Sequence, residues 1–358
     1  MKVCILGDGL VSLALAKTLV NEGIFVDLIY NHKIKTINKT RTIGITKTNI
    51  DFFNKEILNI SKLSWKINKI EIFLEKFKEK NIINFDNENE HLFSIIKNYK
   101  LYKLLNNNLK YSKYFKRKKK ISGKFFKNEI YQIVINCEHD SSLTKKYFFK
   151  KIEKNYESMA YVSSIHHKKI VKNNIAYQVF TKFGPIAFLP ISEFETSIVF
   201  SVKKKKILNE KIIIDLINKY NMKYSILKIS KIDNFKLISS NLRTYNYENI
   251  LAFGDLLHRV HPLAGQGFNM SIRDIQQLHL IIKNRLSLGL ELDSSICSEF
   301  EKKVIHKNYL YSTGIDFIYE FFNVASRIEN KQLGKIIKFF SKNKSLNKFF
   351  TKLADKGI

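Results

Sequence analysis

Cysteine is scarce in this sequence of 358 residues, and the three present, Cys4, Cys137 and Cys297, lie far apart. An odd, scattered set that matches no metal-ligand spacing excludes a disulfide scaffold, argues against a zinc site and suits a reducing cytoplasm. Long apolar runs are missing as well: no uninterrupted stretch reaches the roughly 20 residues that a bilayer-spanning helix needs. The opening residues imitate a signal peptide, with Lys2, an apolar run from Val3 to Leu15 and the small residues Ala14 and Ala16. Asp8 speaks against that reading, because an acid flanked by Gly7 and Gly9 in mid-run suits a tight turn. Acidic residues are also few, 32 against 62 basic ones, which leaves a formal charge of +30. Such a surplus attracts polyanions of any kind. Its lysines are interleaved with Asn and Ile in stretches such as Asn31 to Lys47 and Lys203 to Lys211, so it reads as solvated surface rather than one designed patch. A helix-turn-helix, zinc or aromatic RNA-binding signature is absent, and nucleic acid is not expected as a partner.

A chain of this length is about twice a usual domain, so two domains, or one large α/β domain with an insertion, are expected. Lys2 to Leu6 reads as a short buried strand, Leu10 to Val20 as a helix apolar all round and Ile24 to Tyr30 as a second strand, a βαβ opening of the nucleotide-binding kind. Further on, Asn68 to Leu74 and Ile82 to Phe85 predict strands, Ile95 to Leu105 a helix, Lys116 to Lys120 a solvated basic turn and Tyr131 to Cys137 a strand. Between Ser158 and Val202 the runs Ala160 to Ile165, Ala176 to Phe180 and Ile198 to Val202 predict a mainly antiparallel sheet. A strand from Asn249 to Phe253 then leads through Gly254 and Asp255 to a helix marked by Phe268, Ile272, Ile275, Leu278 and Ile282. From about Ser294 the chain carries aromatic helices and no strand signal.

Two constellations carry chemistry. In GDGLVS, Gly7 permits the sharp turn after the first strand, and Gly9 lets a diphosphate approach the N–H groups at a helix N-terminus. Ser12 stands where the full fingerprint has a third glycine. The acid expected at the end of the second strand to hold a ribose is replaced by Tyr30, and Asp27 lies too early in that strand. In the second constellation, GDLLHRVHPLAGQGFNMSIRD from Gly254 to Asp274, Asp255 can accept hydrogen bonds from sugar or ribityl hydroxyls. Gly265 and Gly267 leave bare backbone at the start of the next helix, which suits a ligand that gains negative charge, as a reduced flavin does. The pair His258 and His261 lacks the i, i+4 helical geometry of a metal site and has no evident third ligand, so no metal is expected. Cys137 sits in an apolar strand and reads as core rather than nucleophile.

The second constellation, in the form HPLAGQGFN followed by RD, resembles the second flavin motif of the class A flavoprotein monooxygenases of the p-hydroxybenzoate hydroxylase fold, and among them the ubiquinone-biosynthesis hydroxylases. Other stretches are similar to that family in order: the N-terminal GDG, Arg41 in TRTIGI, AYQVFTKFGPIAFLP from Ala176 to Pro190, and FEKKVIHKNYLYSTG from Phe300 to Gly314. Its Asp-Gly pair is replaced by Glu138 and His139 in NCEHDSSLTK.

The resemblance implies an α/β fold, with a Rossmann-like FAD-binding domain (1–60, 92–157 and 245–293), an inserted, mainly antiparallel β-sheet substrate domain (61–91 and 158–244) and a C-terminal helical region (294–358). It implies FAD as cofactor and NAD(P)H or another donor as reductant. Gly7, Gly9, Ser12 and Arg41 are then expected toward the FAD diphosphate and ring, Gly254 and Asp255 toward the ribityl chain, and Pro262, Gly265, Gln266, Gly267, Phe268 and Asn269 along the isoalloxazine. Phe180, Pro185, Leu189 and Pro190 would lie near the substrate. The implied activity is hydroxylation of the aromatic ring of a polyprenylated phenol in ubiquinone biosynthesis through a flavin hydroperoxide, a reaction in which no side chain need act as nucleophile. No catalytic residue is assigned; His261 and Pro262 are candidates for shaping the site. A non-catalytic accessory subunit of a quinone-biosynthesis complex is the alternative that Tyr30, Glu138 and His139 suggest.

A substrate that lives in the bilayer implies a cytoplasmic enzyme that approaches the inner membrane face or other quinone-biosynthesis proteins. In the C-terminal segment Leu333, Ile336, Ile337, Phe339, Phe340, Phe349, Phe350 and Leu353 alternate with Lys335, Lys338, Lys342, Lys344, Lys348 and Lys352. Such a basic amphipathic segment either lies at an anionic interface or packs its aromatics on the flavin domain. Nothing in the sequence points to a particular oligomeric state.

Overall fold

The computed structural model describes residues 1–30, 39–75, 83–86, 91–119, 131–203, 208–261 and 265–325. The chain opens with β1 (Lys2–Leu6), α1 (Leu10–Asn21) and β2 (Phe25–Tyr30), the two strands parallel. α1 is apolar all round because it is covered all round: Leu13, Ala14, Leu15, Ala16 and Leu19 are buried in the main core. β8 (Phe115–Lys119) extends the sheet beyond β2. On the other side of β1 come β9 (Ile133–Asn136), β17 (Ile250–Ala252) and β16 (Asn246–Tyr247), giving the order β16-β17-β9-β1-β2-β8. Only the β16–β17 pair is antiparallel. The strand order therefore reverses at β1, and the carboxyl ends of β1 and β9 frame the crevice where parallel sheets bind ligands.

A small antiparallel sheet, β3 (Thr42–Thr46), β7 (Phe93–Lys97) and β4 (Trp65–Ile67), follows α1 in space. The third sheet is built from β5 (Lys69–Leu74), β6 (Ile83–Asp86), β10 (Lys151–His167), β11 (Ile175–Thr181), β12 (Gly184–Pro190), β13 (Glu195–Lys203), β15 (Asp233–Leu242) and β18 (His258–Arg259), with β14 (Ile226–Ile229) paired to β10. Its pairs are antiparallel apart from β5–β11, as the alternating β-rich runs predict. One face carries large apolar side chains, Tyr177, Val179, Ile186, Phe188, Ile198 and Phe200, buried against Ile213, Ile217 and Tyr220 of α5 (Glu210–Tyr220). Successive residues of a strand alternate faces, so the register turns Ala160, Val162, Ala187, Ser197, Val199 and Ser201 to the opposite side.

Five helices complete the described chain: α2 (Lys47–Phe52), α3 (Asn98–Lys110), α4 (Ser142–Tyr147), α6 (Gln266–Ser287) and α7 (Ser295–Ala325). None is long and apolar enough to cross a membrane among the described residues. Two local expectations fail. The helix expected from Ile95 begins only at Asn98, because Ile95 and Ile96 are buried between β3 and β4 as strand residues. The expected basic turn from Lys116 is the edge strand β8 up to Lys119, and lysine on an edge strand discourages pairing with another chain. Lys120 and the C-terminal basic segment lie outside the described residues. The limit expected at 157/158 falls inside β10, at a bulge where Glu157 adopts a positive φ of 50°.

Candidate functional site

At the first turn Gly7 has φ 105°, and its N–H donates to the Ile29 carbonyl at 2.8 Å. A side chain there would press on Glu138 Cγ at 3.3 Å and Cys137 Cβ at 3.5 Å. Gly9 is the N-cap of α1 and supplies no side-chain cap; a Cβ built on it meets nothing within 4 Å. The space beside Gly9 at the start of α1 is thus open, as close approach of a diphosphate requires. Ser12, buried, fills the third-glycine position and hydrogen-bonds the Cys137 thiol. Burial foremost pushes that thiol up to about 12, so Cys137, half-buried against the main core, stays protonated and is no nucleophile.

The second turn lies against the first. Gly254, φ 65°, comes so close to α1 that an added Cβ would stand 3.1 Å from Val11 Cγ1. Asp255 beside it is exposed, and its charge reaches Cys137 and His139. The Glu138–His139 loop is held at the end of β9 by Asn136, whose Oδ1 accepts from the Glu138 N–H at 3.2 Å and the Ser141 hydroxyl at 3.2 Å. Glu138 and His139 therefore border the same crevice as Gly7 and Asp255.

The third turn precedes α6. Gly265 has φ 70°, and a Cβ on it would meet the Gly44 nitrogen at 3.0 Å, so only glycine lets this turn approach β3. Asn269 locks the approach: its Nδ2 donates to the Gly44 carbonyl at 2.9 Å, and its Oδ1 accepts from the Thr46 N–H at 3.0 Å and Asn49 Nδ2 at 2.9 Å. Its side chain is thus committed to the protein's own backbone. Gln266 accepts from the Tyr311 hydroxyl at 2.5 Å, Gly267 has room for a close neighbour, and Phe268 packs partly on the main core. Pro262 lies outside the described residues.

Arg41, exposed, stands with its guanidinium 5.6 Å from the Phe235 ring. Its neighbours tie the same segment to the large sheet: Thr40 donates to Asp233 Oδ2 at 3.0 Å, and the Thr42 and Ser197 hydroxyls are 2.8 Å apart. Asp233, Phe235 and Ser197 share one sheet face with Ala160, Val162, Ala187, Val199 and Ser201 by register. That face therefore meets residues 40–42, which lead into β3 and Gly44. Of the expected substrate residues, Phe180, Pro185 and Leu189 project to this face, while Pro190 projects to the other. Phe180 and Pro185 pair near one end of the β11–β12 hairpin and Leu189 stands near the other, about 13 Å along the strand. They do not form one cluster. Ala187 and Val199 between them were missed by the sequence reading; their signal is small size on the face opposite the bulky one.

His261 is 1% exposed, stacked on Tyr319 at 4.0 Å and edge-on to Tyr156 at 5.1 Å, and both its ring nitrogens lack hydrogen-bond partners. Burial, reinforced by the Lys154 charge, pushes its pKa down to about 3, so the ring is neutral. Tyr156 in turn hydrogen-bonds Asp316 of α7. His258 is engaged elsewhere: its Nε2 lies 2.5 Å from Asp274 Oδ2, and Asn308 donates to the other oxygen at 2.9 Å. The two histidines thus do not converge on a metal. Among the described residues Glu22, Glu56 and His279 bring three ligand-type atoms within 4.8 Å at the far end of α1, where His279 already pairs with Glu22 at 2.7 Å and Lys283 with Glu56 at 3.8 Å.

Tyr30 ends β2 with its ring 5.0 Å from the Arg117 guanidinium. Asp27 is 2% exposed and held by Lys2 at 2.9 Å, Lys118 at 3.0 Å and the Tyr131 hydroxyl at 2.8 Å, so it is a pin within the sheet.

Glycine turns at Gly7 and Gly254, both packed at the first turn of α1, and a third at Gly265 against β3 supply the bare backbone that a dinucleotide such as FAD needs. The architecture is that of the FAD-dependent monooxygenases: the p-nitrophenol 4-monooxygenase PnpA of Pseudomonas putida DLL-E4 superposes with TM-score 0.80 at 9% identity, over 99% of this chain and 98% of that one. HpxO of Klebsiella pneumoniae, solved with FAD, superposes with TM-score 0.73 at 11% identity over 99% of each chain. Residues 150–287 match the family described as FAD binding domain. The chain is similar to the ubiquinone biosynthesis monooxygenase COQ6 of Homo sapiens, 28% identical over 196 residues, 44% of this chain and 42% of the relative. It is also similar to the 3-demethoxyubiquinol 3-hydroxylase of Escherichia coli, 25% identical over 154 residues, 41% of this chain and 39% of the relative. These matches span less than half the length of either relative.

Proposed function

We propose that this protein is an FAD-dependent monooxygenase that hydroxylates the aromatic ring of a polyprenylated phenol in ubiquinone biosynthesis, with NAD(P)H as reductant. The observation that carries this reading is the set of glycine turns at Gly7 and Gly254, both against the first turn of α1, and at Gly265 against Gly44 of β3, the strand whose Thr42 meets Ser197 of the large sheet. The similarity to the human and bacterial ubiquinone-pathway enzymes supports it. Both relatives are named as oxygen-inserting enzymes, which favours catalysis over an accessory subunit.

When bound, FAD supplies the redox chemistry and the activation of dioxygen. The chain's own groups bind and orient. The N–H groups at the start of α1, beside Gly9, would hold the diphosphate, Asp255 would accept from the ribityl hydroxyls, and the N-terminus of α6 at Gly265, Gln266 and Gly267 would offer partial positive charge to the negative charge that a reduced flavin gains. Arg41 stands at the border between cofactor and substrate. Ala187 and Val199 leave room for a phenol ring, and Phe235 and Leu237 keep water from it. His261, neutral and enclosed by Tyr156 and Tyr319, would shape the site rather than touch the substrate. We assign the flavin-binding role to the sheet of β1, β2, β8, β9 and β17 with α1 and α6, and the substrate role to the large sheet. A substrate with a polyprenyl tail would bring the protein to a membrane surface or to other proteins of the pathway.

The test is to incubate the FAD-loaded protein with NAD(P)H, oxygen and a short-tailed prenylphenol and follow product mass. Gain of one oxygen atom on the ring is expected. A protein that binds FAD yet transfers no oxygen to any prenylphenol would overturn the reading.

A further inference from the structure

A dinucleotide held on a parallel sheet needs an acceptor for the vicinal hydroxyls of its adenosine ribose, and the usual place for that carboxylate is the end of the second strand. β2 ends in Tyr30, and Asp27 is spent inside the sheet. A different carboxylate stands close by. Asp8, between the two glycines of the first turn, extends toward β8, where its Oδ2 meets Arg117 Nη2 at 2.8 Å.

Arg117 is fixed with unusual completeness for a residue near the surface. Its Nη1 donates to Asn106 Oδ1 at 2.7 Å, its Nη2 also to the Tyr102 hydroxyl at 3.1 Å, and its guanidinium lies against the Tyr30 ring. Four elements, the glycine turn, β2, α3 and β8, thus converge on one guanidinium, which presents Asp8 in a single orientation. Stability alone is a poor reason for this arrangement, since an ion pair with side chains 20% and 36% exposed is largely screened by solvent and contributes little. A carboxylate with one oxygen tied to arginine keeps its other oxygen for a ligand, and can accept from two adjacent hydroxyls.

We propose that Asp8, oriented by Arg117, accepts the ribose hydroxyls of the adenosine half of FAD in place of a carboxylate at the end of β2, with the Tyr30 ring and the Arg117 plane as the adjoining wall. The inference rests on the reading that the protein binds FAD. It makes the residue between the two glycines a ligand-binding residue, where the turn alone would need only a small side chain, and it accounts for Tyr30: with the acceptor moved to the turn, the strand end is free to carry a ring that supports the arginine.

The test titrates wild type and Asp8→Ala with FAD, with FMN, which lacks the adenosine half, and with FAD whose adenosine ribose is 2′-deoxy. Loss of hydrogen bonds to a charged acceptor is worth about 10- to 100-fold in affinity. Asp8→Ala is therefore expected to bind FAD about 10- to 100-fold more weakly than wild type, to bind FMN equally and to bind FAD and its deoxy analogue alike, whereas wild type prefers FAD. Arg117→Lys is expected to show the same pattern in weaker form. If Asp8→Ala does not fold, Asp8→Asn carries the same comparison. A variant that binds FAD as wild type does, or keeps wild-type preference for FAD over the deoxy analogue, overturns the proposal alone. Failure of folded wild type to bind any flavin overturns the functional reading and this proposal with it.

Discussion

Replacing His261 by phenylalanine should make the protein more resistant to acid. The imidazole is stacked on Tyr319, edge-on to Tyr156 and without hydrogen-bond partners, and burial with the Lys154 charge lowers its pKa from 6.5 to about 3. The unfolded chain therefore takes up a proton as pH falls through the ordinary value, while the folded chain does not. Stability is intact above that value and is lost progressively as pH falls toward the folded one. Each pH unit within this window costs about 1.36 kcal/mol, so the loss is about 2 kcal/mol by about pH 5. Phenylalanine keeps the ring and its stacking but cannot titrate. Urea unfolding of both proteins at neutral pH and at about pH 5 gives the comparison, in which effects of the carboxylates cancel. Wild type should lose about 2 kcal/mol more than His261→Phe on acidification. Equal pH dependence would refute the assignment of His261 as a buried neutral base.

Gly265→Ala places a side chain 3.0 Å from the Gly44 nitrogen at a φ of 70°, and should cost about 1–3 kcal/mol, seen as a lower melting temperature and reduced flavin content. Asn269→Ala strips the clamp on Gly44 and Thr46 and should cost about 2–3 kcal/mol by urea unfolding, since buried backbone groups lose their partner. Ala187→Phe fills the space on the inward sheet face; oxygen transfer to a prenylphenol should fall steeply while FAD affinity, measured by titration, stays within about twofold of wild type.

Much of this arrangement was legible because a backbone cradle announces itself through glycine. Gly7 after a buried strand, and Gly254 and Gly265 bracketing a strand-to-helix crossing, mark positions where a side chain is strained or crowded, and a missing Cβ is visible in sequence. The runs from Ala160, Ala176 and Ile198 likewise disclose strands through alternation. What alternation does not disclose is which face meets β3: Ala187 and Val199 come to the side of Ser197 only through the register of β10, β12 and β13. The ion pair of Asp8 and Arg117 joins residues 109 apart, in a stretch whose lysines read as solvated surface. Ile95 and Ile96 fit a helical period as well as a strand, and β7 won because β3 and β4 flank it on both edges. The engagement of the Asn269 amide with Gly44, Thr46 and Asn49 has no signal in the sequence, because those partners lie more than 200 residues away.

The claim on which the rest depends is that one FAD lies along these turns. Solving the crystal structure of the protein with FAD would test it most directly. The diphosphate should sit before the N-terminus of α1 at Gly9 and the isoalloxazine beside Gly265 and Gln266, against the face that carries Ala187 and Val199. FAD bound elsewhere on the molecule, or crystals of the folded protein that take up no flavin at saturating concentration, would contradict the account.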